Sequence, residues 1–238
     1  MNDYISFNTT DEDLTFIEFK KRSLLFIKNL SISIPYCNKL FFLKSNIEID
    51  INNSTINEQL YNEINDDEVA YINANKSNKD LMDESKSPFG FSLDFATKKE
   101  SEGLGFWFSL YGGNEGNGGG KIEFIGDIEK AKLLKTYEEI LLIAIKIYRP
   151  NYGCILNSTI RKQLRVKGQK TCGLYSYINR KLNVPLPHGF KKSEVLGDDT
   201  LIESNFIDIS IDDLKKVQEI INRPSDSNNW TVFDGLEE

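Results

Sequence analysis

Three segments in the middle of the chain alternate apolar and polar residues with a period of two. No other pattern in the sequence restricts the fold as much. In "FGFSLDFA", Phe89, Phe91, Leu93 and Phe95 share one side; in "LGFWFSLY", Leu104, Phe106, Phe108 and Leu110 do. "KIEFI" places Ile122 and Phe124 together, with Ile125 following. Successive strand side chains point to opposite faces, so this alternation predicts an antiparallel meander with one buried face.

Helical patterns flank the meander. After a short strand, "YISFN", Thr10-x-x-Asp13 has the spacing of a capping box. Leu14, Ile17, Leu24, Ile27 and Leu30 then recur at near-helical intervals, with Phe16, Phe19 and Phe26 widening the stripe. Pro35 ends this helix, because the residue before a proline is pushed out of the helical region. "KLFFLK" reads as a short buried strand and "NSTINEQLYNEI" as a shorter helix. A second long helix is predicted from Asp127, as N-cap, to Tyr148, closed by Pro150. "YGCIL" reads as a strand, "GLYSYINRKL" as helical, "VPLPHGF" as a proline-rich link and "TLIES" as a final strand. The last helix starts at Ser210-x-x-Asp213, with Ile211, Leu214, Val217, Ile220 and Ile221 facing inward.

Strands clustered between helices predict an α+β fold, a mostly antiparallel central sheet with helices packed on one face. Residues 73–87 carry almost no apolar content and read as an exposed loop or insertion. Residues 1–224 are expected to form a single domain, and 225–238 a polar C-terminal tail.

"LYGGNEGNGGGKIEF", residues 110–124, tests the chain for nucleotide chemistry. A P-loop needs G-x-x-x-x-G-K-[ST] between a strand and a helix, so that backbone amides and the lysine hold phosphates and the hydroxyl holds magnesium. Gly120-Lys121 is present, but Glu115 stands where the first glycine belongs and Ile122 where the hydroxyl belongs. A dinucleotide fingerprint begun at Gly116 would need glycine at Lys121. The sequence that follows alternates as a strand, so no helix N-terminus faces a phosphate. The stretch is expected to be a flexible hairpin connection, with Glu115 at its tip as a candidate contact.

The remaining chemical candidates are sparse. Cys37, Cys154 and Cys172 are widely spaced and form no CxxC pair, which predicts reduced, partly buried thiols rather than a metal site. The lone histidine, His188, sits among turn residues in "PLPHGF" without a nucleophile motif. It reads either as an exposed or structural histidine or as a general base. The acidic clusters Asp11-Glu12-Asp13, Asp66-Asp67-Glu68 and Asp198-Asp199 lack EF-hand spacing. They read as solvated surface or as contacts to a basic partner. "RKQLRVKGQK", 161–170, is the one basic run, either a solvated helix end and loop or an anion site.

A net charge of −7 repels phosphate backbones and attracts basic partners. No apolar run is long enough to span a bilayer, and the N-terminus carries no export signal. The expectations are therefore a cytoplasmic protein with no cofactor or metal and no nucleic-acid or membrane contact.

The C-terminal third is similar to a known family. Gly173, Tyr177 and Ile178, then Pro185 and Pro187, then Gly197, Thr200 and Leu201 follow a pattern that resembles the Imm52-type immunity proteins of bacterial polymorphic-toxin systems. Leu174 stands where the family usually has tryptophan. The resemblance implies a non-catalytic α+β immunity protein that binds a cognate toxin, a nuclease-type effector encoded adjacently, including those delivered by type VI secretion. The interface candidates are then Asp66, Asp67, Glu68, Glu115, Asp198 and Asp199. The alternatives are a small hydrolase using His188 and a non-catalytic adaptor of a secretion system.

Overall fold

The computed structural model describes residues 3–9, 14–64, 90–98, 105–114, 117–205 and 209–223. Its strands are β1 (Asp3–Thr9), β2 (Phe41–Phe42), β3 (Phe91–Ala96), β4 (Gly105–Asn114), β5 (Asn117–Ile125), β6 (Tyr152–Asn157), β7 (Tyr175–Ile178), β8 (Phe190–Val195) and β9 (Asp199–Ser204). They form one sheet in the order β2-β3-β4-β5-β1-β6-β7-β9-β8, antiparallel at every described pairing. The described helices are α1 (Phe16–Ser33), α2 (Ile56–Glu63), α3 (Lys130–Tyr148), α4 (Ser158–Leu164) and α5 (Ile211–Asn222). The fold is α+β.

The alternation in the middle of the chain sets the register. Phe42, Phe95, Phe108, Ile122, Ile5, Ile155 and Tyr175 pair in succession from β2 to β7, making one continuous row on one face. Within it the rings of Phe95 and Phe108 stack 4.7 Å apart at 4°. Such a pair contributes about 0.5–1.5 kcal/mol beyond simple burial. α1 and α3 cover this face: Phe26 of α1 meets Phe108 at 6.3 Å and Tyr148 of α3 at 5.6 Å, both edge-on. Tyr137 of α3 donates to the carbonyl of Asp3 at 2.6 Å and accepts from the amide of Phe124 at 2.8 Å, tying the helix to β1 and β5.

Helices pack on both faces, not one. β6 and β7 are buried almost throughout, on each side of the sheet. On the second side lie α4 and α5, joined by Gln218. Its amide accepts from the Cys172 N–H at 3.0 Å and donates to the Leu164 carbonyl at 2.8 Å. Asn222 makes a two-way pair with the Lys170 backbone, both bonds at 2.8 Å.

The glycine stretch is sheet rather than a flexible connection over most of its length. β4 runs to Asn114 and β5 starts at Asn117, with a register shift between Tyr111 and Asn114. Gly118, Gly119 and Gly120 pair with Thr9, Asn8 and Phe7 of β1. These glycines make room for β1. A Cβ on Gly120 would lie 2.7 Å from the Phe7 ring, and one on Gly119 only 2.0 Å from the Phe7 carbonyl oxygen. Gly119 also has φ +151°, which side-chain-bearing residues rarely adopt. On the other flank of β1, Gly153 pairs with Phe7. Phe7, fully buried, thus lies between two residues without side chains, and its ring meets Tyr148 at 5.2 Å.

Several helix and strand boundaries differ from expectation. Thr15, not Thr10, caps α1: its hydroxyl accepts from the Glu18 N–H at 3.3 Å, and its own backbone is extended. Thr15-x-x-Glu18 is itself a capping-box spacing; Thr10 to Asp13 lie outside the described residues. α3 starts at Lys130 after an extended Glu129, three residues beyond Asp127. The segment expected to be helical at 173–182 instead carries β7. Leu174 donates to the Ile155 carbonyl at 2.7 Å, and a Cβ on Gly173 would lie 2.3 Å from that same oxygen. β8, for which the sequence reading assigns no element beyond Phe190, is a strand at the sheet's edge. Pro35, Pro150 and the Ser210 cap fall where expected, with Ser210 accepting from the Asp213 N–H at 3.1 Å.

The three thiols are free and fully buried rather than partly so. Burial pushes each of them up to about 12, so none is a ready thiolate.

Two glycines separate steric from backbone effects. Gly119→Ala should lower unfolding stability by about 2–4 kcal/mol, through clash and backbone strain together. Gly168, at φ +80° with nothing within 4 Å of a Cβ, isolates the backbone term. Gly168→Ala should cost about 1–2 kcal/mol. Urea unfolding of both variants checks the difference, and equal losses would remove the packing role assigned to Gly119.

Candidate functional site

Among the described residues the sheet is covered on both sides at β6 and β7 but on one side only at β3, β4 and β5. There the first face is packed, while the second carries Asp94, Ser109 and Lys121, all exposed, beside half-buried Trp107, Tyr111 and Glu123. The register places Trp107 opposite Glu123, and Glu123 opposite Tyr4. Tyr111 donates to the Asn8 side-chain carbonyl at 2.9 Å, which fixes the ring across β5 onto β1. Side chains on strands that are rigid on their far side form a preorganised surface, the kind on which binding loses little conformational entropy.

α4 borders this surface. Asn157 caps it, accepting from the Ile160 N–H at 2.9 Å, so the helix turns back over the sheet directly after β6. Ile160 and Leu164 point inward and are buried, which leaves Arg161, Lys162 and Arg165 exposed. With Tyr4, Lys121 and Glu123 they line a cleft of about 850 Å³. Lys121 forms an ion pair with Glu123 and lies 5.2 Å from the centre of the Tyr4 ring. Burial raises the Tyr4 hydroxyl above its ordinary range, and the neighbouring Arg161 guanidinium partly offsets this. The basic run seen in the sequence therefore lies partly on a helix that faces the sheet.

The other sequence candidates do not gather at one place. Asp66, Asp67, Glu68 and Glu115 lie outside the described residues. Asp198 is exposed and 3.6 Å from Lys181, which also bridges Glu194 at 3.1 Å. Asp199 has an internal partner, accepting from the Tyr177 hydroxyl at 2.6 Å. His188 is exposed in the turn before β8, and its imidazole makes no hydrogen bond or ion pair among the described residues. That position lends the general-base reading no support. Among the described residues no group of three or more His, Cys, Asp or Glu could hold a metal ion. Nor is any described helix long and apolar enough to cross a membrane.

The residues that carry the family resemblance, by contrast, converge. Thr200 donates to the Arg180 carbonyl at 2.9 Å and accepts from the Leu182 N–H at 3.0 Å, closing the link after β7 onto β9. Ile178 pairs with Thr200, and Tyr177 with Leu201. Gly197 turns the chain between β8 and β9 at φ +89°. Lys192 donates to the carbonyls of Leu182 and Val184 at 2.9 and 3.0 Å, holding the proline link against β8. These are framework contacts.

Next to this unit, the Tyr175 hydroxyl contacts carboxylates of both Glu138, at 3.2 Å, and Glu203, at 3.3 Å. Burial, opposed by the Tyr175 bond, raises Glu138 above its ordinary 4.5. A carboxyl with a raised folded value binds its proton more tightly in the native state. Its contribution is thus greatest below pH 4.5 and declines as pH rises through the folded value. Glu138→Gln should gain stability relative to the parent at pH 7 but not at pH 4, as measured by urea midpoints. An advantage independent of pH would overturn the assignment.

No family model matches the chain, and no curated protein matches it. Among solved structures it is similar to the Pseudomonas aeruginosa T6SS protein PA0821, at 11% identity and a TM-score of 0.42, over 85% of this chain. This chain spans 64% of that protein's length.

Proposed function

We propose that the protein is an immunity protein that binds a cognate toxin, a nuclease-type effector, in the cytoplasm and neutralises it by covering a functional surface. The observation that carries this reading is the convergence of the resemblance residues. Gly173, Tyr177, Ile178, Gly197, Thr200 and Leu201 are separated in sequence but belong to one hydrogen-bonded unit of β7, β8 and β9. Their resemblance to the Imm52-type proteins supports the reading, with Tyr177 and Ile178 on a strand.

The reading is supported by the face of β3, β4 and β5 that no described helix covers. A surface of strands backed by a packed face is suited to rigid docking against another protein. The net charge of −7 speeds encounter with a basic partner, as a nuclease commonly is around its substrate cleft. Inhibition by occlusion needs no catalytic group on this chain.

The test is co-expression with the toxin encoded next to this gene. Rescue of growth and a stoichiometric co-purifying complex are expected, and absence of both would sink the reading. Within such a complex, charge reversal at Asp66, Asp67 and Glu68, or at exposed Asp198, should slow association more at low salt than at high salt. Asp199 is the internal control: its reversal removes the Tyr177 bond and should lower stability, whatever happens to association.

A further inference from the structure

We propose that the cleft between α4 and the β1–β5 strands is a docking site for an acidic segment of a protein partner. The cleft concentrates positive charge on an otherwise acidic chain: Lys121, Arg161, Lys162 and Arg165 line it against the single carboxylate of Glu123. Arg161, Lys162 and Arg165 have no ion-pair partner among the described residues. Elsewhere the described lysines that form ion pairs do so with nearby carboxylates, as Lys215 does with Asp212 and Lys216 with Asp213 on α5. Among the described residues Lys162 and Arg165 are thus left without a carboxylate, while Arg161 reaches the Tyr4 hydroxyl.

The arrangement favours carboxylates on a polypeptide over phosphates on a nucleic acid. The charge is one-sided. The α4 wall carries three cations, whereas on the opposite wall Lys121 is already paired with Glu123. A phosphate chain carries a charge on every unit, so one passing through would also lie against that carboxylate. An acidic segment needs cations on one side only. The other wall offers it the Lys121–Glu123 pair as both donor and acceptor, above the buried Tyr4 ring. Arg161 and Arg165 lie one helical turn apart, with Cβ atoms about 5–6 Å from each other. That spacing matches neighbouring side chains on one face of a strand or helix, so each guanidinium can take one carboxylate through two parallel hydrogen bonds. Recognition is thus by charge sign, planar geometry and spacing. It is independent of the toxin reading, and either can fail alone.

The experiment is an NMR titration of the full-length, isotope-labelled chain at low salt with three probes: a hexaglutamate peptide, an oligothymidylate of equal charge, and inorganic phosphate. Saturable shifts centred on Arg161, Lys162, Arg165 and Lys121 are expected with the peptide. Its affinity should fall at least about tenfold in Arg161→Gln/Arg165→Gln, the loss expected of two charge-assisted contacts. Lys162→Gln/Arg165→Gln leaves the Tyr4 neighbour intact and should also weaken binding, so an effect of Arg161 on folding cannot account for the result. Lys215→Gln/Lys216→Gln, on α5, should leave affinity unchanged. The proposal is overturned if the oligothymidylate or phosphate binds the cleft more tightly than the peptide. It is equally overturned if the peptide shifts other residues, does not saturate, or binds both cleft variants as it binds the parent.

Discussion

The sheet is organised around the seating of Phe7. β1 is the first strand in the sequence yet lies near the middle of the sheet, where both neighbours must approach it along its whole length. Its phenylalanine fits because Gly120 on one neighbour and Gly153 on the other yield the space, and because Tyr148 and Leu141 of α3 close over that spot. Everything on the covered face follows from this register. A shift of one residue along β1 would put Phe7 on the opposite face and break the row that runs from Phe42 to Tyr175.

The same register divides the molecule into unlike halves. Around β6 and β7 the sheet is sandwiched between helices, and polar side chains there act inside the framework: Gln218 spans α4 and α5, Thr200 closes a link and Tyr177 holds Asp199. Around β3 to β5 one face has no described helix over it, and its polar residues face outward. α4 stands at the border, anchored by Ile160 and Leu164 in one half while its cations overlook the other. A partner meeting the open half would thus meet rigid strands and a fixed helix together.

The sequence made some of this legible. Wherever a strand had one wet face, as in β3, β4 and β5, alternation revealed it, and proline and serine marked helix ends correctly at Pro35, Pro150 and Ser210. Elements that broke the alternation were missed. β7 is buried on both sides, so "YSYI" has no polar beat and looks the same as a stretch of buried helix. β8, "FKKSEV", is wet on both sides and so resembles a loop. The glycines of 118–120 suggested looseness, because the residue that needs their emptiness, Phe7, lies more than a hundred positions away. Thr10-x-x-Asp13 and Thr15-x-x-Glu18 are both plausible caps on paper, and only the extended backbone at Thr15 decides between them. For the site, the basic run was visible but its setting was not: no local signal shows that Arg161 lies near Tyr4.

The character of β8 has a consequence for how the protein meets others. It forms one margin of the sheet, and a bare margin is an open template on which another chain can add a strand. Here that margin carries Lys191 and Lys192 in succession, with Lys192 turned back to hold the link at Leu182 and Val184. The opposite margin, β2, is only two residues long. Both ends of the sheet thus discourage growth by strand addition, which protects against filament-like self-association. Partners are left to approach the broad side of the molecule, where side chains rather than backbone decide who is admitted.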